Sequence, residues 1–133
     1  MLTHEQRQRL AILANALIPP ADGMPSASEA GVPGRWIDDA LRYRPDLAEG
    51  LETALAVAGD LPADEAIELL NREHTAAFEA LGTLIAGAYF LNPEIRRRIG
   101  YLGQMPTPPE EDLDTYFPLL EHVVARGRIY RDL

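Results

Sequence analysis

Histidine and cysteine, the side chains that most often bind metals or act as nucleophiles, are scarce or absent in this chain. The only imidazoles belong to His4, His74 and His122, and no two of them lie four residues apart. None stands in the Glu-x-x-His pattern that binds metal in helical bundles. Because the chain has no cysteine, thiolate catalysis and cysteine-ligated zinc are excluded. The sequence therefore predicts no metal site.

The hydroxyl and carboxylate groups do not form a catalytic pattern either. Ser26 and Ser28 lie in a stretch with proline and glycine, without the strand and helix that flank a nucleophilic serine. The acidic runs Asp38–Asp39 and Glu110–Asp112 are typical of solvated helix faces and first helical turns. We therefore expect no catalytic residues. The alternative, a small independent enzyme, requires Tyr101, His122, Arg126 and an acidic side chain to converge.

Nucleotide cofactors are also not predicted for this chain. Gly100 and Gly103 form a G-x-x-G pattern, but no strand precedes it and no lysine follows it. Phosphate-binding loops need that strand–loop–helix context. The sequence therefore predicts no cofactor-binding residues.

The charge balance limits the kinds of partner. Against 21 acidic residues the chain has 12 basic residues, all arginine, and its net charge is −9. This excess of negative charge argues against nucleic acid and against anionic membrane surfaces. No apolar run approaches the roughly 20 residues that cross a bilayer. No signal peptide is visible, so we expect a cytoplasmic protein, or a periplasmic one if a leader was removed or a partner carries the export signal.

Apolar residues recur at three- and four-residue steps through most of the chain, which indicates amphipathic helices. A capping-box spacing from Thr3 to Gln6 predicts the first helix, which Pro19 ends. We expect Gly82 and Gly87 to admit a neighbouring helix to the most apolar helix, and Pro118 to interrupt the last one. No segment alternates with a period of two. The sequence predicts an all-α fold, a compact single domain over residues 1–133 with five to seven helices, spanning about residues 3–18, 32–44, 45–59, 62–73, 75–90, 92–99 and 119–127.

One stretch, Gly100–Pro109, is not helical in pattern. It holds two glycines and three prolines in ten residues, which excludes helix and central strand. It also carries apolar side chains, at Tyr101, Leu102 and Met105, that a solvated linker does not need. We predict an ordered loop that packs either on the chain's own core or on another protein, and the sequence leaves both alternatives open.

Several segments, in this order and spacing, make the chain resemble a known family. They are Ile18-Pro19-Pro20, Ala30-Gly31-Val32, Trp36-Ile37-Asp38, Tyr89-Phe90, Pro93, Arg96, Gly100-Tyr101-Leu102-Gly103-Gln104 and Arg126-Gly127-Arg128-Ile129-Tyr130-Arg131. The chain is similar along nearly its whole length to the gluconate 2-dehydrogenase subunit 3 family. These are small, non-catalytic subunits of heteromeric flavin dehydrogenases of the glucose–methanol–choline type.

The resemblance implies a helical protein that binds a large FAD-containing subunit, which oxidises a sugar, sugar acid or glycoside. FAD is then expected in the partner, and no cofactor in this chain. Many family members begin with a twin-arginine leader, and some have cysteines that join the subunits. This sequence has neither, so a non-covalent complex is expected. The alternative is a stand-alone helical adaptor or ligand-binding module. The candidate partner-binding residues are Tyr101, Leu102, Gln104, Met105, Arg126, Arg128, Tyr130 and Arg131.

Overall fold

The computed structural model describes residues 1–101, 103–104 and 113–127 of the chain. Regular structure within these residues is helical, with one isolated β-bridge between Ala21 and Met24. The all-α fold predicted from sequence, with five to seven helices, is confirmed. The α-helices are α1 (His4–Leu17), α2 (Ile37–Tyr43), α3 (Ala48–Ala58), α4 (Ala63–Glu73), α5 (Thr75–Leu91), α6 (Pro93–Arg98) and α7 (Leu113–Arg126).

Contacts divide the chain into two units, Met1–Leu102 and Gly103–Leu133. The first unit contains α1 to α6, which we call the helical bundle, together with a π-helical turn at Val32–Trp36 and a 3₁₀ turn at Pro45–Leu47. The second contains α7 and is described separately. The expectation of one domain over the whole chain stays a prediction.

The start of α1 follows from its capping residues. Thr3 accepts the Gln6 N–H through its hydroxyl at 3.2 Å, and the Gln6 side chain accepts the Thr3 N–H at 2.8 Å. This capping box satisfies N–H groups that have no partner within the helix. The boundary predicted from the sequence is therefore confirmed by its hydrogen bonds.

Helix α5 is the centre of the bundle. It contacts α2, α3, α4 and α6, and its apolar side chains interlock with those of its neighbours to form the core. Close packing of this kind supplies most of the stability of helices of this length. The buried residues of α5 are Ala77, Ala80, Leu81, Leu84, Ile85, Ala88 and Tyr89.

The expected role of the two glycines in α5 is wrong. A Cβ added at Gly82 or at Gly87 would meet no atom within 4 Å among the described residues. The close approach occurs instead at Gly50 in α3, where an added Cβ would lie 2.5 Å from the Cβ of Ala80. Gly50 therefore lets α3 pack against α5. Spacing along α5 alone could not identify which glycine faces a neighbour.

The segment between α1 and α2 is fixed by polar contacts. Arg7 donates to both carboxylate oxygens of Asp38, at 2.8 and 2.9 Å, and to the Pro33 carbonyl oxygen at 2.8 Å. Trp36 is partly buried and packs against the core. Its ring lies 4.8 Å from the Arg35 guanidinium carbon, a cation–π contact. The entry to α2 is thus held by both charge and packing.

Helix α7 differs from the prediction at its proline. Pro118 was expected to interrupt the helix, but α7 is continuous from Leu113 to Arg126 with Pro118 inside it. A proline removes one backbone hydrogen bond and crowds the preceding turn. Pro118 is the sixth residue of α7 and lies past its first turn, yet the helix continues to Arg126.

Candidate partner interface

The turn that ends α6 fixes the backbone of Tyr101. Gly100 has a φ of 75°, a left-handed conformation that glycine adopts without a Cβ penalty. The Gly100 N–H donates to the Arg97 carbonyl oxygen at 3.1 Å, and the Tyr101 N–H donates to that of Arg96 at 2.8 Å. These two bonds form a Schellman motif. Tyr101 is therefore held against the last turn of α6.

The other end of α6 is tied to the bundle. The Asn92 side chain accepts the Glu94 N–H at 2.8 Å and donates to the Ala30 carbonyl oxygen at 2.9 Å. Pro93 occupies the first helical position, which suits its fixed φ. Ile95 is buried in the core. Since both ends and the buried side of this short helix are fixed, α6 presents its remaining side chains from a rigid base.

A cleft of about 740 Å³ lies between the loop after α1 and α6. Arg98 crosses it, donating to the Gly23 carbonyl oxygen at 3.0 Å and to Glu94 at 3.2 Å. The Tyr89 hydroxyl donates to the Pro25 carbonyl oxygen at 2.7 Å, and burial raises the pKa of Tyr89. These contacts hold the loop on the bundle. The cationic group of the cleft is thus already bonded within the chain.

The predicted partner-binding residues fall in different places. Tyr101 is 50% exposed, and Gln104 and Arg126 are also exposed. Tyr101 is therefore not buried like the core residues of the bundle. The partner-binding roles themselves stay predictions. Leu102, Met105, Arg128, Tyr130 and Arg131 lie outside the described residues.

Three residues near Tyr101 were not on the predicted list. Arg97 and Ile99 are exposed, and Arg96 is partly buried. The Nε of Arg96 is buried and has no hydrogen-bond partner among the described residues. The signal for them in the sequence is a run of three arginines directly before an Ile-Gly-Tyr segment. Such a run at a helix C-terminus also interacts favourably with the helix dipole.

Helix α7 exposes one apolar face. At 100° per residue, Phe117, Leu120 and Val124 lie within 60° of one another, and Val123 adjoins them. Phe117 is 61% and Val124 is 76% exposed. His122 and Arg126, four residues apart, lie on the opposite side and are also exposed. The helix is therefore amphipathic, with exposed apolar side chains at Phe117, Leu120 and Val124 among its described residues.

Among the described residues, no group of three or more His, Asp or Glu residues is arranged to hold a metal ion. No helix in this part of the chain is both long enough and apolar enough to cross a membrane.

Comparison with protein-family models, with curated proteins and with solved structures gives no match to this chain.

Proposed function

We propose that this chain is a small non-catalytic subunit that binds and stabilises a large FAD-dependent oxidoreductase of the glucose–methanol–choline type. The substrate of the complex is a sugar, sugar acid or glycoside. FAD and the catalytic residues belong to the large subunit. The complex is non-covalent, since this chain has no cysteine to form an intersubunit disulfide.

The observation that best supports the proposal is that Tyr101 has a fixed backbone and an exposed side chain. Its backbone is fixed by the Schellman motif, and its side chain is half exposed. Tyrosine is enriched at the centres of protein interfaces because it buries a large area at a small cost in side-chain entropy. Tyr101 also stands in the Gly-Tyr-Leu-Gly-Gln segment on which the family resemblance rests. Both points favour Tyr101 as an anchor for the flavoprotein.

Helix α7 supports a protein partner independently of Tyr101. A helix of 14 residues is marginal in water unless its apolar face is buried. The apolar side chains of α7 at Phe117, Leu120 and Val124 are exposed. Contiguous exposed apolar surface on a small protein is typical of a binding site for another protein. A large subunit that covers this face would stabilise the helix.

The proposal predicts a gene for a glucose–methanol–choline-type flavoprotein beside the gene for this chain. The test is co-expression of the two, followed by purification through a tag on this chain. We expect the flavoprotein to co-purify with its FAD. Expressed alone, it should lose solubility or activity. A flavoprotein that is soluble, fully active and monomeric without this chain would contradict the proposal, and reproducible recovery of an unrelated protein would favour the adaptor alternative.

The role of Tyr101 can be tested with a matched control. Replacing Tyr101 with alanine should weaken the complex by about tenfold or more, as expected for an interface anchor, with little change in the melting temperature of the isolated chain. Tyr43 on α2 is 70% exposed and lies outside the resembling segments, so Tyr43→Ala should leave binding unchanged. If Tyr101→Ala lowers stability and binding together, Tyr101 acts as a core residue and not as an anchor.

A further inference from the structure

The arginines of the bundle fall into two groups. Nine of the 12 arginines lie in residues 1–101. Seven of these nine donate side-chain hydrogen bonds to carboxylates or backbone carbonyls in the described residues. They are Arg7, Arg9, Arg35, Arg42, Arg44, Arg72 and Arg98. Arg96 and Arg97 have no such bond to a described residue, and we call these two the α6 arginine pair.

Among the described residues, the side chains of the α6 arginine pair have no hydrogen-bonded partner, although acidic groups are abundant in the chain. The net charge is −9, yet residues 93–101 contain three arginines and one glutamate. A guanidinium has five donors in a planar fork that fits a carboxylate. The guanidinium of Arg97 is exposed and has no acceptor among the described residues. It is therefore suited to receive a carboxylate from outside the bundle.

The α6 arginine pair also lies close to Tyr101. The Tyr101 N–H donates to the Arg96 carbonyl oxygen at 2.8 Å, so the exposed Tyr101 lies beside the backbone of the pair. Ile99, also exposed, lies between them in sequence. Arginine and tyrosine around an apolar side chain is the composition typical of interface hot spots. The positive charge of Arg97 and the side chains of Ile99 and Tyr101 thus lie on the same turn at the end of α6.

From these observations we infer that the α6 arginine pair is the charged half of the docking surface for the flavoprotein, and that it meets an acidic patch on that subunit. The inference rests on the proposed function and adds the chemistry of the partner's surface. Asp or Glu carboxylates of the flavoprotein accept bidentate hydrogen bonds from the exposed guanidinium of Arg97, and the partly buried Arg96 adds positive charge beside it. An apolar depression beside those carboxylates receives Tyr101 and Ile99.

A protein surface fits better than nucleic acid. Binding a phosphate backbone draws on many positive charges spread along a face, whereas the pair supplies two in a chain with net charge −9. At physiological salt, charge is screened over roughly 8 Å, so the pair attracts a partner locally despite the acidic remainder. That remainder would repel a polyanion as it approached.

The experiment measures binding of the purified chain to the purified flavoprotein by titration calorimetry, at low and at high NaCl. Arg97→Glu should raise Kd by about tenfold or more, as for reversal of a close interfacial charge. Arg97→Gln and Arg96→Gln should have smaller effects in the same direction, and Arg97→Lys should restore part of the affinity. The wild-type Kd should rise with salt, and less so in Arg97→Glu. The variants of the exposed Arg97 should melt at the wild-type temperature.

Arg72→Glu is the matched control. Arg72 is 66% exposed and bonds only its neighbour Glu73 among the described residues, so its reversal should change Kd by no more than about twofold.

Wild-type affinity in Arg97→Glu, or a Kd independent of salt, would overturn the inference while leaving the proposed function standing. If the wild-type chain does not bind the flavoprotein at all, both fall. Self-association of this chain, or binding to an oligonucleotide, that Arg97→Glu abolishes would assign the pair to that partner and overturn the inference.

Discussion

Helices α5 and α7 carry apolar side chains at the same three- and four-residue spacings, but only in α5 are they buried. In α5 the large apolar residues Leu81, Leu84 and Ile85 are almost completely inaccessible to water. In α7 the corresponding residues Phe117, Leu120 and Val124 are exposed. The spacing therefore determines which side chains share a face of a helix, whereas the rest of the assembly determines what covers that face.

This difference separates two sources of stability. The bundle is held together by burial within the chain, at about 25 cal/mol for each Å² of apolar surface removed from water. Helix α7 carries apolar side chains of the same kind, but Phe117, Leu120 and Val124 are exposed among the described residues. If a large subunit covers α7, the same free energy appears as binding affinity.

Truncating one leucine in each helix should give very different losses of stability. Leu81 in α5 is 0% exposed, so Leu81→Ala should lower the free energy of unfolding by about 2–5 kcal/mol through lost burial and a cavity. Leu120 in α7 is exposed, so Leu120→Ala should lower it by about 0.5 kcal/mol or less. Urea unfolding of the isolated chain measures both. Equal losses would mean that the apolar face of α7 is buried within the chain, as that of α5 is, and would contradict the difference between the two helices.

Glycine substitutions sharpen the comparison within the bundle itself. An alanine at Gly50 would place its Cβ 2.5 Å from that of Ala80, so α3 and α5 must separate. Gly50→Ala should cost about 1–3 kcal/mol. An alanine at Gly82, where the Cβ meets no described atom within 4 Å, should stabilise the chain by up to about 1 kcal/mol. Thermal unfolding followed by circular dichroism compares the two; shifts of the same sign would contradict the assignment of Gly50 as the contact.

The sequence predicted the elements well where local chemistry determines them. The capping box at Thr3, the start of α6 at Asn92 and Pro93, and its end at Gly100 are all visible as residue types. Each satisfies backbone groups within a few residues, so no knowledge of the fold is needed. The continuity of α7 through Pro118 was missed, because the cost of a proline depends on its position in the helix.

Contacts between distant parts of the chain could not be predicted in the same way. That Gly50 faces Ala80, while Gly82 faces no described atom, depends on how α3 lies on α5. The bonding of the arginines is a second case. Arg98 reaches Gly23 across 75 positions, whereas the side chain of Arg97 beside it bonds no described group. Only the folded arrangement separates the arginines whose side chains are bonded among the described residues from those whose side chains are not.

The smallest expected effect concerns acid, and it belongs to the loop of the bundle. The Glu29 carboxylate accepts the Ser26 N–H at 2.7 Å, which holds the pKa of Glu29 below its usual value of 4.5. A carboxyl with a lowered pKa in the folded state adds stability at neutral pH, and that stability is lost as the pH falls from about 4.5 through the folded-state pKa.

Glu29→Gln keeps an acceptor but does not titrate. The free energy of unfolding should therefore fall less steeply in this variant between about pH 5 and pH 3, as measured by urea unfolding at a series of pH values. The paired carboxylate of Asp46, whose pKa is lowered by the hydrogen bond from Arg44, contributes equally to both chains and cancels in the difference. Identical pH profiles would mean that the Glu29–Ser26 contact does not persist in solution and that the loop is held by its other bonds, among them those from Tyr89, Asn92 and Arg98.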